Sequence, residues 1–248
     1  MNTIYILWLR QLKKYLRSKP RIIGSLGQPV LFMVALGLGF GPIYAQAGRG
    51  SYMEFLGPGV IAMGIVFTAM FSGIELIWDR QFGFLKETLV APVSRFSIML
   101  GRTLGGATTG LFQGVVVCVL ALFFGFKIMH LAYLPLAFFF MILIAVFFTA
   151  LGTAIASRLQ DMQAFPLIMN FLVMPMFFLS GALFPLQGLP RPIYLVTRFN
   201  PLSYGVDGLR AALTGQSSFG LSTDLIVLTS LTLLLIFIGG YLFSKIEV

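Results

Sequence analysis

Long apolar stretches separated by short polar connectors run along most of the chain. A membrane-spanning helix needs about 20 mostly apolar residues. Six stretches meet that length: Ile22–Tyr44, Phe55–Trp78, Met99–Phe126, Leu131–Ala156, Ala164–Leu183 and Thr223–Phe243. No internal repeat is visible among them. The pattern therefore predicts an all-α integral membrane protein with six transmembrane helices, built as a single transmembrane domain over residues 1–248.

Residues 1–21 precede the first predicted span and have a different, amphipathic pattern. Four basic residues recur at helical spacing on one face: Arg10, Lys13, Lys14 and Arg17. Four apolar or aromatic residues lie on another: Tyr5, Trp8, Leu12 and Leu16. This arrangement predicts an interface helix lying on the membrane, with its cations toward anionic lipid. Such a helix either only anchors the topology or also borders a cytoplasmic partner.

Composition agrees with a chain that has lipid as its solvent. Of its 248 residues 58% are hydrophobic and only 10% are charged, whereas soluble domains carry about 25% charged residues. A soluble enzyme is therefore the class least compatible with this sequence. A single cysteine, Cys118, excludes a disulfide framework, and the single histidine, His130, has no neighbouring carboxylate or cysteine cluster. We expect no metal site and no cofactor.

The distribution of basic residues predicts the orientation in the membrane. If both termini are cytoplasmic, the inner segments hold 12 of the 17 lysines and arginines. Basic residues concentrate on the cytoplasmic side of membrane proteins. The sequence therefore predicts a multi-pass protein of the cell membrane with both termini inside, and the net charge of +9 needs no nucleic-acid partner. Glu75, near the inner end of the second span, is read either as an interfacial anchor or as a proton-coupling group.

The inner connector over residues 79–98 contains a short predicted helix. Gly83 permits a turn, residues 84–91 provide about two helical turns, Pro92 stops the helix, and Ser94 is placed to cap the third span. Leu85 and Leu89 share one face of this helix, because they are four residues apart. Two turns are marginal alone. The connector is either a hairpin on the lipid surface or a small helix that docks in a partner's groove.

The outer segment over residues 184–222 lies between the fifth and sixth spans. Its apolar piece Ile193–Phe199 is far too short to span a membrane. Asn200-Pro201 is a turn and helix-start signal. Asp207 and Arg210 follow at a spacing of three, which allows an ion pair on one helical face. The residues alone do not distinguish a plain extracellular loop from a structured element at the outer end of the spans.

Two stretches are similar to a known family. DRQFGFLKETLVAPVSR (79–95) and LSGALFPLQGLPRPIYLVTRFNPLSYGVDGLRAAL (179–213) resemble the inner connector and the outer signature of type-2 ABC exporter permeases. The resemblance implies a coupling helix that docks on an ATPase, with these candidate residues: Phe84, Leu85, Lys86, Glu87 and Leu89. It also implies a re-entrant extracellular helical hairpin before the last span, with these gate or signature residues: Asn200, Pro201, Tyr204, Asp207 and Arg210.

The phosphate-binding pattern G-x-x-x-x-G-K-S/T is absent from the sequence. The expected partners are therefore an ABC ATPase subunit, a second permease copy and membrane lipids. We expect this chain not to be an enzyme, but the transmembrane subunit of an ATP-driven exporter for a hydrophobic or amphipathic substrate such as a drug, lipid or glycolipid. The alternatives are an ion- or proton-coupled secondary transporter, which would need polar groups near the bilayer midplane, and a non-transporting membrane assembly protein.

Overall fold

The computed structural model describes residues 3–48 and 50–246, and every regular element in these ranges is helical. The helices are α1 (Thr3–Arg17), α2 (Lys19–Phe32), α3 (Gly39–Gln46), α4 (Tyr52–Phe71), α5 (Ile74–Gln81), α6 (Phe84–Val90), α7 (Arg95–Phe123), α8 (Leu134–Arg158), α9 (Ala164–Phe178), α10 (Arg191–Phe199), α11 (Pro201–Thr214) and α12 (Leu221–Ser244). The ends of the predicted 1–248 domain lie beyond the described residues. The same holds for Arg49, a basic residue that the predicted topology places on the outer side of the membrane.

Within the described residues, five helical segments are long and apolar enough to cross a membrane: Lys19–Gln46, Tyr52–Gln81, Arg95–Phe123, Leu131–Arg158 and Leu221–Ser244. The first joins α2 to α3 through a π-helical segment, Met33–Leu38, which follows Pro29. The fifth predicted span is shorter than expected. Its helix α9 has 15 residues and ends at Phe178, and turns replace the helix beyond that point.

Helix α4 forms the centre of the bundle, where α7, α8 and α11 pack around it. Most of its side chains are buried, and the helix is apolar on all sides beyond Glu54 in its first turn, as expected for a central helix. The backbones approach closely where α4 ends. There Gly152 of α8 lies against the carbonyl of Met70, and Gly73 lies against the carbonyl of Gly152, so a side chain at either glycine would collide with backbone. Small residues allow such close packing in lipid.

The peripheral helices expose apolar side chains. Leu31 of α2, Phe171 of α9 and Phe237 of α12 are each more than 60% exposed. A soluble protein would bury such groups, whereas a bilayer solvates them. The bundle has two distinct ends. One carries α1, α6 and the end of α12, and we call it the α1 end; the other carries α10, α11 and the start of α12, and we call it the α11 end.

Candidate functional site

The short helix α6 forms at the α1 end where the sequence predicted it. Gly83 has φ +82° and its carbonyl accepts from the amide nitrogens of Lys86 and Glu87. The helix ends at Val90, and the extended Ala91 leads into Pro92. Ser94 then caps α7 by accepting from the amide nitrogen of Ser97 at 3.1 Å. The predicted turn, stop and cap are therefore confirmed.

The buried face of α6 differs from the predicted docking face. Leu85 is fully buried in the helical bundle itself and Leu89 is partly buried. Phe84 and Val90 are 51% and 84% exposed, and Lys86 and Glu87 are exposed beside them. Leu85 packs inward in the single chain, because the four-residue spacing that groups it with Leu89 describes the side of α6 that faces the bundle. Its contact with a partner stays a prediction. The apolar groups left for a partner are Phe84 and Val90.

Helix α1 is held to the bundle by an ion cluster around Asp79. Arg10 donates to both carboxylate oxygens of Asp79 at 3.0 Å, and Arg102 of α7 donates to one of them at 2.5 Å. Asp79 and Arg102 are 5% and 4% exposed. The Arg10 guanidinium also lies 5.5 Å from the ring centre of Phe84. Arg10 therefore connects the interface helix, the end of the second span and the first residue of α6.

A second ion cluster surrounds Glu75, one turn earlier in α5. Its carboxylate lies 2.5 Å from a guanidinium nitrogen of Arg21 and 3.4 Å from the ammonium of Lys14. Arg80, which is close in sequence, instead donates to the carbonyl oxygens of Ser157 and Leu159. Glu75 is thus an anchor for the α1–α2 elbow rather than for lipid headgroups. The sequence contained an indication of this arrangement. The acids at 75 and 79 are four residues apart, as are the bases at 10 and 14, so each pair lies on one face of its helix.

The packed face of α1 differs from the predicted apolar face. Leu7 and Tyr15 are buried, whereas Tyr5 and Leu16 are about half exposed. The Trp8 indole nitrogen donates to the Thr108 hydroxyl at 2.9 Å, and the Tyr15 hydroxyl donates to the side-chain oxygen of Gln113 at 3.0 Å. Burial raises the pKa of Tyr15. The helix therefore packs on α7 through polar contacts as well as apolar ones, which periodicity could not show.

At the α11 end, Asn200 joins three helices. Its side-chain oxygen accepts from the amide nitrogen of Leu202, which caps α11, and its side-chain nitrogen donates to the carbonyl of Met176 in α9. Pro201 occupies the first position of α11, where a missing N–H costs nothing. Tyr204 donates its hydroxyl to the carbonyl of Arg198, closing the corner between α10 and α11. The predicted helix start at Asn200-Pro201 is confirmed.

Asp207 and Arg210 do not form the expected ion pair, because their charged atoms do not come within 4.0 Å. Asp207 accepts from the Ser217 hydroxyl and from the amide nitrogens of Ser218 and Phe219, at 2.8–2.9 Å. It therefore orders the turn that leads from α11 into α12. The spacing of three residues places both side chains on α11. The carboxylate of Asp207, however, takes its hydrogen bonds from the turn after α11 and not from Arg210.

Arg210 is buried and points to backbone. It donates to the carbonyls of Gly181 at 2.8 Å and Phe55 at 3.3 Å, and its guanidinium lies 4.1 Å from the ring centre of Phe55. Burial lowers the pKa of Arg210 to about 10, against the opposing charge of Asp207. Arg210 therefore stays protonated at neutral pH. It connects α11 to the start of α4 and to the turn after α9.

Asp224, in the first turn of α12, is a buried acid that the sequence analysis missed. It is 0% exposed, and its carboxylate oxygens accept no hydrogen bond from a described donor. The only hint in the sequence is an acid at the start of an apolar span. Among the described residues no three histidine, cysteine or acidic side chains group as a metal site.

Comparison with known proteins identifies the family. The family model described as ABC-2 type transporter matches residues 2–214. The putative transport permease ycf38 of Cyanophora paradoxa is 28% identical, covering 99% of this chain and 89% of that protein, and the one of Porphyra purpurea is 30% identical, covering 93% and 83%. The inner membrane transport permease YadH of Escherichia coli K12 is 26% identical, covering 95% and 90%.

These relatives are named as transport permeases, and the family normally pairs with a separate ABC ATPase subunit. The match covers every helix from α1 to α11, including both ion clusters. The chain belongs to the ABC-2 type transporter family, as a multi-pass membrane permease that is not itself the ATPase.

Proposed function

We propose that this permease exports a hydrophobic or amphipathic substrate from the cytoplasm or the inner leaflet, driven by an ATPase subunit that docks at the α1 end. The observation that carries the proposal is α6. It stands out from the bundle with Phe84 and Val90 exposed, while Leu85 is buried and Arg10 joins it to α1 and α5. A displacement of α6 by the ATPase would therefore be transmitted to the spans through these buried contacts, as a two-state conformational switch requires.

In the proposed topology the α1 end is cytoplasmic. The positive-inside distribution supports this, because α1 alone contributes four basic residues to that end: Arg10, Lys13, Lys14 and Arg17. With α9 and the turns that follow it counted as the fifth crossing, the chain has six spans and both termini are inside. Helices α10 and α11 then form the re-entrant hairpin at the outer leaflet. Their short lengths, nine and 14 residues, support this placement.

Two permease copies complete the proposed transporter. Helices α2 and α9 leave large apolar side chains uncovered, including Ile23, Leu31, Leu167 and Phe171. A second copy of this chain across a twofold axis would cover part of this surface, as is usual in homo-oligomers. Lipid would solvate the rest. A path between two copies also gives more room for a substrate than the interior of one tightly packed bundle.

The signature residues at the α11 end have a proposed role as the frame of an outer gate. Asn200, Tyr204, Asp207 and Arg210 each bond to a different neighbouring segment. Arg210 also lines a pocket that opens at this end beside Tyr44 and Phe55. A small movement of α11 would change α4, α9 and α12 together, which is the behaviour expected of a gate element.

The charge placement favours this function over a secondary transporter. Glu75 and Asp79 lie in the last two turns of the second span and are paired with cations. Asp224 lies in the first turn of the last span. The acids of the described spans therefore sit near the ends, whereas ion-coupled transporters place their sites near the midplane.

The test is to copurify the tagged permease with a coexpressed ABC ATPase subunit from the same organism, and to measure ATPase stimulation in proteoliposomes. Val90→Asp should abolish copurification and stimulation while leaving permease abundance unchanged, because Val90 is 84% exposed in the permease. Met129→Asp is the matched control, since it puts the same charge at an exposed apolar position at the opposite end. Normal ATPase binding by Val90→Asp would contradict docking at α6.

A further inference from the structure

A pocket of about 630 Å³ opens between the α1–α2 elbow and one face of α4 and α5. Its volume lies in the range of small-molecule sites. The wall has two chemically different parts. Lys14, Ser18 and Arg21 form a polar part near the elbow, and Phe67, Phe71 and Trp78 contribute a mainly apolar part. The uncharged polar residues Ser25, Gln28 and Thr68 also line the pocket. A ligand that fits this wall needs a polar group and an apolar group in the same molecule.

The polar part carries a net positive charge. Lys14 and Arg21 share a single carboxylate, that of Glu75. Two cations and one anion leave one uncompensated positive charge beside an apolar wall. Lys14 and Arg21 remain 41% and 29% exposed at their side chains, so their remaining donors are accessible to a ligand. An anionic group with several acceptor oxygens matches this set of donors.

Trp78 contributes its ring to this wall rather than its donor. Its indole nitrogen is buried and has no hydrogen-bond partner among the described residues. Its ring lies 5.7 Å from the Lys14 ammonium. Buried donors are normally paired, but this nitrogen has almost no accessible surface, so a ligand in the pocket would meet the Trp78 ring rather than the donor.

The apolar part runs along the helix axis. Phe67 and Trp78 are eleven residues apart in α4 and α5, which corresponds to about 16 Å at the helical rise. This length suits a hydrocarbon chain that extends from the membrane surface toward the bilayer centre. The polar part lies at the surface end of the wall, because Trp78 and the α1 cations are at the α1 end of the bundle.

We propose that this pocket binds one anionic phospholipid-like amphiphile, with its phosphate at Lys14 and Arg21 and one acyl chain along Phe67 and Phe71. The site goes beyond the export function, because it requires no transport. A bound lipid would neutralise the elbow charge and brace α1 against α5. Phosphate is the shared chemistry of a lipid headgroup and a free anion, and the acyl chain separates these two ligands.

Native mass spectrometry of the detergent-purified full-length permease tests this site. The probes are phosphatidylglycerol and phosphatidylcholine with identical acyl chains. We expect one phosphatidylglycerol to bind at least about tenfold more tightly than phosphatidylcholine, and Arg21→Gln to lose that preference. Arg17→Gln is the control. It removes a positive charge near the same elbow, but Arg17 is exposed and does not line the pocket. Equal binding of both lipids to the wild type would overturn the proposal.

Two glycines in α2 provide a second test that leaves the charges intact. A side chain at Gly24 or at Gly27 meets no atom within 4 Å, but only Gly24 lines the pocket. Gly24→Leu should therefore exclude phosphatidylglycerol, whereas Gly27→Leu should bind it as the wild type does, at matched thermal unfolding midpoints. Undiminished binding by Gly24→Leu would place the lipid elsewhere and overturn the proposal. Full displacement of the lipid by excess inorganic phosphate would also overturn it, since a free anion would then suffice.

Discussion

Asp79 and Arg102 form a buried ion pair at 2.5 Å, at the point where the interface helix, the second span and the third span meet. Arg10 completes the cluster from α1. Charges so deep in the α1 end require compensation, because an unpaired buried charge is far more costly than a paired one. The cluster therefore fixes how α1 lies against the spans, and with it the position of α6.

Removing Asp79 should strand two arginines. We expect Asp79→Ala to destabilise the permease by about 3–5 kcal/mol, the usual effect of breaking a buried pair. The double variant Asp79→Leu/Arg102→Met should recover part of that loss, because it removes the buried charges together. Thermal unfolding of the purified protein in detergent measures both. A double variant as unstable as the single one would show that burial of charge is not the cause.

The coupling helix should respond differently on its two faces. Leu85→Asp places a carboxylate in the permease core, so we expect lower membrane abundance before any question of coupling arises. Phe84→Asp, at a position that is 51% exposed, should leave abundance near normal and reduce ATPase stimulation. Immunoblots of membranes and ATPase assays at matched abundance separate the two effects. Equal abundance of both variants would contradict the inward packing of Leu85.

Asp207 and Arg210 should act through separate partners. Asp207→Asn weakens the anchoring of the turn at Ser217 and Ser218, and Arg210→Met releases the carbonyls of Phe55 and Gly181. We expect each to cost about 1–3 kcal/mol, with an interaction energy smaller than either single effect. Unfolding midpoints of the two single variants and the double variant measure that energy. Restored stability in a variant with the two residues exchanged would instead reveal a direct pair.

Gly105 should be intolerant of a side chain. A Cβ atom there would lie 2.6 Å from the Cβ of Gln11 in α1, so Gly105→Ala should push α1 away from α7 and cost about 1–3 kcal/mol through overpacking. Gly39→Ala is the matched control, because nothing lies within 4 Å of that position. Unfolding midpoints and the emission of Trp8, which bonds to Thr108 of α7, report the change. Equal midpoints in the two variants would contradict close packing of α1.

Much of the fold could be predicted from sequence because the strongest signals were local. The long apolar stretches, the turn at Gly83, the stop at Pro92 and the caps at Ser94 and Asn200 depend on a few neighbouring residues each. Lipid as solvent makes the length of an apolar run nearly sufficient to define a span. The fifth span was the exception. Its apolar run continues to Leu183, but the helix ends at Phe178, and composition alone does not reveal that stop.

The sequence by itself thus determined the class of protein, the long apolar helices other than the fifth, and the family, because hydrophobic length and turn chemistry act over short distances. Only the tertiary structure decided which charges pair and which faces are buried. Arg10 meets Asp79 across 69 positions, and Arg210 prefers distant carbonyls to the nearby Asp207. In a low-dielectric interior each charge takes the partner that packing brings closest, and that choice is not encoded in the spacing of neighbouring residues.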